Sequence, residues 1–142
     1  MPRARVGVAF AGTIWPMATP SSAPDEPRLQ GGELLAAISN QMVRLLRDAT
    51  GRGPTQCKTF WAGDEMILVQ IKGGYSAAEH TLAEAGHEDE VHSSRRALQD
   101  SIEEDMRSIV ESQVGRPVVA FMSNTHMDPD MMIEVFALGP ES

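Results

Sequence analysis

Along residues 33–49 the apolar positions Leu34, Ile38, Met42, Leu45 and Ala49 recur at steps of three and four, the spacing of one face of an α-helix. Leu35, Val43 and Leu46 widen that face, while Arg44, Arg47 and Asp48 are expected to point to water. Gly51 should stop the helix, with Gly53 and Pro54 preventing its continuation. Two short strands are predicted next. Residues 55–61 are rich in threonine and aromatic side chains, and residues 66–71 form an unbroken apolar run. The intervening Ala62-Gly63-Asp64-Glu65 suits a hairpin turn, because glycine takes the positive φ such a turn needs. Gly73-Gly74 ends the second strand.

Residues 76–85 read as a short helix in which Ser76 is the N-cap and Glu79 completes a capping box, and Gly86 closes it. A long helix is expected over residues 89–114, with Leu98, Ile102, Met106, Ile109 and Val110 as its apolar stripe and Arg95, Arg96, Asp100, Glu103, Glu104, Arg107 and Glu111 on the remainder. It too ends in a glycine signal, Gly115-Arg116-Pro117, followed by apolar strands at 118–122 and 131–138. The stretch Ser123-Asn124-Thr125-His126-Met127-Asp128-Pro129-Asp130 between them has the composition of a turn.

The two halves thus share an order: amphipathic helix, Gly-Arg break, strand, acid-bearing turn, strand. The expected fold is α+β, with two αββ units forming an antiparallel sheet and helices packed on one face. Met66-Ile67-Leu68-Val69 and Val118-Val119-Ala120-Phe121-Met122 are apolar on both faces. A one-sided helical cover would leave the other side of the sheet greasy, so a homodimer formed through the sheet is expected.

Composition narrows the class. At 142 residues with 42% apolar residues the chain can build one core. A single cysteine, Cys57, excludes a disulfide framework and a multi-cysteine zinc site. No run reaches the ~18 apolar residues a spanning helix needs, so direct membrane insertion is not expected. Twelve Lys+Arg against twenty Asp+Glu give −8, which argues against nucleic acid as a partner. Five of the nine prolines fall before Gly31, so residues 1–31 read as a disordered or processed extension and 32–142 as the folded domain. That extension holds three arginines against two acids, leaving −9 on the remainder. Arg3 and Arg5 ahead of the apolar residues 6–18 imitate a secretory leader, but Gly7, Gly12, Thr13, Pro16 and the lack of leucine argue against one; a cytoplasmic protein is expected.

Candidate chemistry is sparse. In His87-Glu88-Asp89-Glu90-Val91-His92 the histidines are five apart, ~140° around a helix, so the segment reads as a polar helix entry. His126, Asp128 and Asp130 offer a nitrogen and two carboxylates to a metal-dependent hydrolase, but turn chemistry explains them more simply. Alternation along the strand points Cys57 and Lys58 to opposite faces, so Lys58 is poorly placed to lower the thiol's pKa and Cys57 reads as a small packed residue. No catalytic constellation, metal set or cofactor motif stands out, and a non-enzymatic protein is expected. The remaining candidates are arginines: Arg52 and Arg116 at the matching helix-to-strand breaks and Arg95-Arg96 in the long helix, a set suited to a small molecule or anion if the fold brings it together.

Six segments carry a family resemblance: Gly51-Arg52-Gly53-Pro54-Thr55; Ala77-Ala78-Glu79-His80-Thr81-Leu82; Arg95-Arg96-Ala97-Leu98-Gln99; residues 111–117; Phe121 through Asp130; and Glu134-Val135-Phe136. In their order and spacing the chain, from about Gly32 to Leu138, resembles the MpsC-like domain family. The resemblance implies association with a sodium-translocating, membrane-potential-generating system whose membrane subunits are separate proteins. It transfers no catalytic residues. It therefore points to a soluble accessory or regulatory role beside a membrane cation-translocating complex.

Overall fold

The computed structural model describes residues 31–141. The elements run α1 (Gly31–Thr50), β1 (Gln56–Trp61), β2 (Met66–Lys72), α2 (Ala77–Glu84), α3 (Glu88–Val114), β3 (Val118–His126) and β4 (Met131–Leu138). Of the extension expected over residues 1–31, all but Gly31 lies outside the described residues; Gly31 and Gly32 belong to α1.

The strands form one antiparallel sheet in the order β1-β2-β4-β3. Each αββ unit supplies a hairpin, the hairpins meet along β2 and β4, and β1 and β3 become the edges. Because β2 and β4 run antiparallel, the two halves are related by an approximate two-fold axis through the sheet centre. The α+β reading with two αββ units is therefore the fold observed.

Helices α1 and α3 pack on one face. Ile67, Val69 and Ile71 of β2 and Met132, Phe136 and Leu138 of β4 are buried against Leu34, Ile38, Met42 and Leu46 of α1 and Ile102, Met106, Val110 and Val114 of α3. Burying such side chains contributes roughly 1.5–3 kcal/mol each, which is what holds helices to sheet. The same alternation sends Phe60, Leu68, Val135 and Met122 to the opposite face, where the pairings Phe60–Leu68, Leu68–Val135 and Val135–Met122 make one apolar row across all four strands. No described helix covers this row: Phe60 is 43% and Met122 51% exposed.

Two expectations need correction. The buried stripe of α3 is Val91, Arg95, Gln99, Ile102, Met106, Val110 and Val114, and Leu98 is only half-buried. Arg95 and Gln99 continue the four- and three-residue steps of Ile102 and Met106, whereas Leu98 lies about 100° around the helix from Gln99. The fold turns the two polar side chains inward because partners await them there. Second, β3 does not stop at Met122 but continues to His126, with Ser123–Glu134, Asn124–Ile133, Thr125–Met132 and His126–Met131 paired. An edge strand is held by main-chain bonds to one neighbour, so a polar sequence can occupy it.

Candidate functional site

The polar centre of the molecule is the short connection Gly73–Ser76 between β2 and α2. Gly73 has φ of 72°, and a side chain there would run into Thr55, so only glycine fits. A loop pressed between elements must have its main-chain groups satisfied, and four side chains from four elements do this. Asp130, from the β3–β4 turn, accepts from the Gly74 amide at Oδ1 (3.2 Å) and the Tyr75 amide at Oδ2 (3.1 Å), while its carbonyl accepts from the Gly73 amide (3.3 Å). Arg52, just past α1, donates through Nη1 to the carbonyls of Tyr75 (2.8 Å) and Gly73 (3.4 Å). Arg95 donates to the Gly74 carbonyl. Glu79 accepts from the Ser76 amide at 2.7 Å, and the Ser76 hydroxyl accepts from the Glu79 amide at 3.1 Å, the capping box expected for α2. The Ser76 carbonyl accepts from the His80 amide, so every main-chain polar group from Gly73 to Ser76 is engaged.

Arg95 and Glu79 form the charged heart of this cluster. Nε and Nη2 of Arg95 meet the two carboxylate oxygens of Glu79 at 2.8 and 2.7 Å, a bidentate pair. Arg95 is 5% exposed, and its guanidinium also lies over the Tyr75 ring at 4.9 Å, a cation–π contact. Burial alone would raise the Glu79 carboxyl, but hydrogen bonds from Arg95 and Ser76 outweigh it and hold the group below the usual range. Tyr75 is buried with Val91 and Met127, and burial pushes its phenol up. His80 meets the Tyr75 ring edge-on and Asp130 through Nε2 at 3.2 Å.

The four candidate arginines are not one site. Arg52 and Arg95 line a common cavity with Leu46, Thr50, Pro54, Gly74 and Met132. At about 10 Å³ it has room for roughly one water molecule. Arg96 is exposed on α3. Arg116 is across the sheet, donating to the carbonyls of Gly139 and Asp64, each at 2.8 Å. The two-fold relation of the halves places the helix-to-strand breaks at opposite ends, so it separates Arg52 from Arg116.

The histidine-bearing segments are likewise engaged locally. His87 contacts Glu90 at 2.9 Å on the first turn of α3, and Nδ1 of His126 contacts the Pro129 carbonyl at 2.9 Å, while Asp130 points to the loop amides. Among the described residues no group of three or more His, Cys, Asp or Glu side chains is placed to hold a metal ion. Cys57 faces the helices, where burial pushes the thiol up to about 11.

A second polar group, which the sequence reading missed, lies inside the core. Glu134 of β4 is 0% exposed. Gln99 Nε2 donates to its Oε2 at 2.5 Å and to Ser123 Oγ at 2.7 Å. Nearby, the hydroxyls of Ser39 and Thr59 bond each other at 2.8 Å. The alternation of Met132, Glu134, Phe136 and Leu138 along β4 already placed Glu134 on the helix-covered face, and that was the available signal.

Residues 30–139 match the family model described as Na+-translocating membrane potential-generating system (MpsC). No curated protein and no solved structure matches the chain. No helix among the described residues is long and apolar enough to cross a membrane.

Proposed function

The chain belongs to the MpsC family, and from that premise we propose that it is a non-enzymatic, cytoplasmic accessory or regulatory component of a Na+-translocating membrane potential-generating system, homodimeric through its uncovered sheet face. The observation that carries this reading is the apolar row Phe60, Leu68, Val135 and Met122 on a family member whose other sheet face is already filled by α1 and α3. An apolar face of this kind serves association. On this reading the membrane-embedded subunits are separate proteins, and the cluster around Gly73–Ser76 is an internal brace of the fold. Purification of the tagged protein from its native host after crosslinking tests the assignment: recovery with a membrane subunit supports it, and recovery of the protein alone overturns it.

A second reading, a small-molecule or anion-binding domain, has one observation in its favour, the cavity shared by Arg52 and Arg95. Its size restricts the ligand to a small anion seated at the rim. Thermal-shift screening of inorganic anions against the wild type and Arg52→Ala separates the readings. Stabilisation lost in the variant supports the site, and no stabilisation, or an equal shift in both proteins, removes it.

A further inference from the structure

Glu134 is used by neither reading, and its surroundings are built for a neutral acid. It sits at the middle of β4 in the inward-facing row Thr59–Val69–Glu134–Ser123 across the sheet. Its Oε1 is enclosed without a hydrogen-bond partner. From β1 the titratable neighbour is Cys57, whose thiol feels the Glu134 charge as a repulsion. From α1 comes Ser39, from β2 Val69, from β3 Ser123 and from α3 Gln99, all uncharged. Arg95, one turn before Gln99 on the same face of α3, is committed to Glu79 and Gly74. Among the described residues, then, no cation pairs with Glu134. Such a place disfavours the carboxylate relative to the neutral acid.

The Gln99 contacts agree. At 2.5 Å its distance to Glu134 is that of an O–H···O bond, short for an amide N–H donor, and the 2.7 Å to Ser123 suits either kind of bond. A half-turn of the amide, which interchanges its nitrogen and oxygen, puts Oε1 of Gln99 there as acceptor from both the protonated Glu134 and the Ser123 hydroxyl. We propose that Glu134 is a proton-binding site: its protonated carboxyl clips α3 to the edge strand β3 through Gln99, and loss of the proton frees that edge.

Burial pushes the carboxyl up to about 7, against the opposing pull of Ser123 and Gln99. The folded protein therefore holds this proton more tightly than an opened one, where the group returns to its ordinary value of 4.5. Opening is least favourable in acid, becomes progressively easier as pH rises from 4.5 towards 7, and levels off above. Between pH 6 and pH 8 the opening equilibrium rises about tenfold.

The test uses the full chain. Carbon-13 NMR of side-chain-labelled glutamate should show one carboxyl titrating near pH 7, absent in Glu134→Gln. Amide exchange of β3, corrected for the intrinsic pH dependence of exchange, should accelerate about tenfold from pH 6 to pH 8 in the wild type and stay flat in Glu134→Gln. A glutamate set that titrates wholly in the ordinary range overturns the proton site. Equal pH response of β3 in both proteins overturns the clip. If Glu134→Gln does not fold, the wild type decides alone: the carboxyl and β3 must change with the same midpoint, and separate midpoints overturn the coupling.

Discussion

Arg52 and Arg116 make the same bond in the two halves of the molecule. Each follows the glycine that ends a helix, Gly51 (φ 85°) or Gly115 (φ 79°), and each donates to the carbonyl of the glycine just past the last strand of its own unit, Gly73 at 3.4 Å or Gly139 at 2.8 Å. The weak Gly-Arg repeat in the sequence is thus a repeated latch. It ties the helix-to-strand break of each αββ unit to the end of that unit's last strand.

Loss of either latch should lower stability modestly. A charge-assisted bond to a carbonyl contributes roughly 1.5–3 kcal/mol when enclosed and less at the surface. Arg116→Ala is expected to lose about 1–2 kcal/mol, and Arg52→Ala, whose side chain is exposed, about 1 kcal/mol. The two sites share no partner, so the double variant should show additive losses in urea unfolding. A strongly non-additive result would show that the latches act as one unit.

The Arg95–Glu79 pair should tolerate removal of its cation far worse. Arg95→Met leaves the Glu79 carboxylate and the Gly74 carbonyl short of partners, at a cost of about 3–5 kcal/mol. Arg95→Lys should recover less than half of this, since an ammonium does not reproduce the two parallel bonds. Equal stability of the lysine variant and the wild type in chemical denaturation would contradict the bidentate account.

Glu79 gives the acid limb a definite sign. Its folded-state pKa is depressed, so its stabilisation is present above the ordinary value of 4.5 and is lost as pH falls through the folded-state value. The difference in melting temperature between the wild type and Glu79→Gln should therefore shrink as pH is lowered from 6 towards 3. A gap that stays constant over that range would mean the carboxylate charge is not what stabilises.

Cys57 should behave as an inert thiol. With its pKa pushed up to about 11 by burial, almost no thiolate is present at pH 8. Native protein should resist alkylation by iodoacetamide and become reactive once unfolded in urea. Rapid modification of the native state would show that the β1 edge opens readily.

The uncovered row gives a direct test of self-association. Met122→Lys and Phe60→Lys each place a charge in the proposed interface, and a buried apolar side chain there is worth roughly 1.5–3 kcal/mol. Light scattering should report a dimer for the wild type and a tenfold to hundredfold weaker one for either variant, with melting of the monomer little changed. A monomeric wild type overturns the dimer.

Local patterning by itself determined most of the architecture. Steps of three and four marked Leu34, Ile38 and Met42 as one buried helix face, glycines at 51, 86 and 115 ended the helices, and Ser76 with Glu79 announced a capping box. The caps are satisfied by neighbours within a few residues and the helix face shows as a periodicity of three and four, so both are legible in a linear string. Hydropathy was the wrong guide where the partner came from far along the chain. Arg95 and Gln99 look like solvent-facing positions until Glu79 and Glu134 arrive to meet them, and Ser123 to His126 look like a turn until β4 offers its main chain. The same holds for the arginines. Only the antiparallel meeting of β2 and β4 decides that Arg52 joins Arg95 while Arg116 sits at the far end, because the sheet order, which no local pattern encodes, sets which ends of the two units meet.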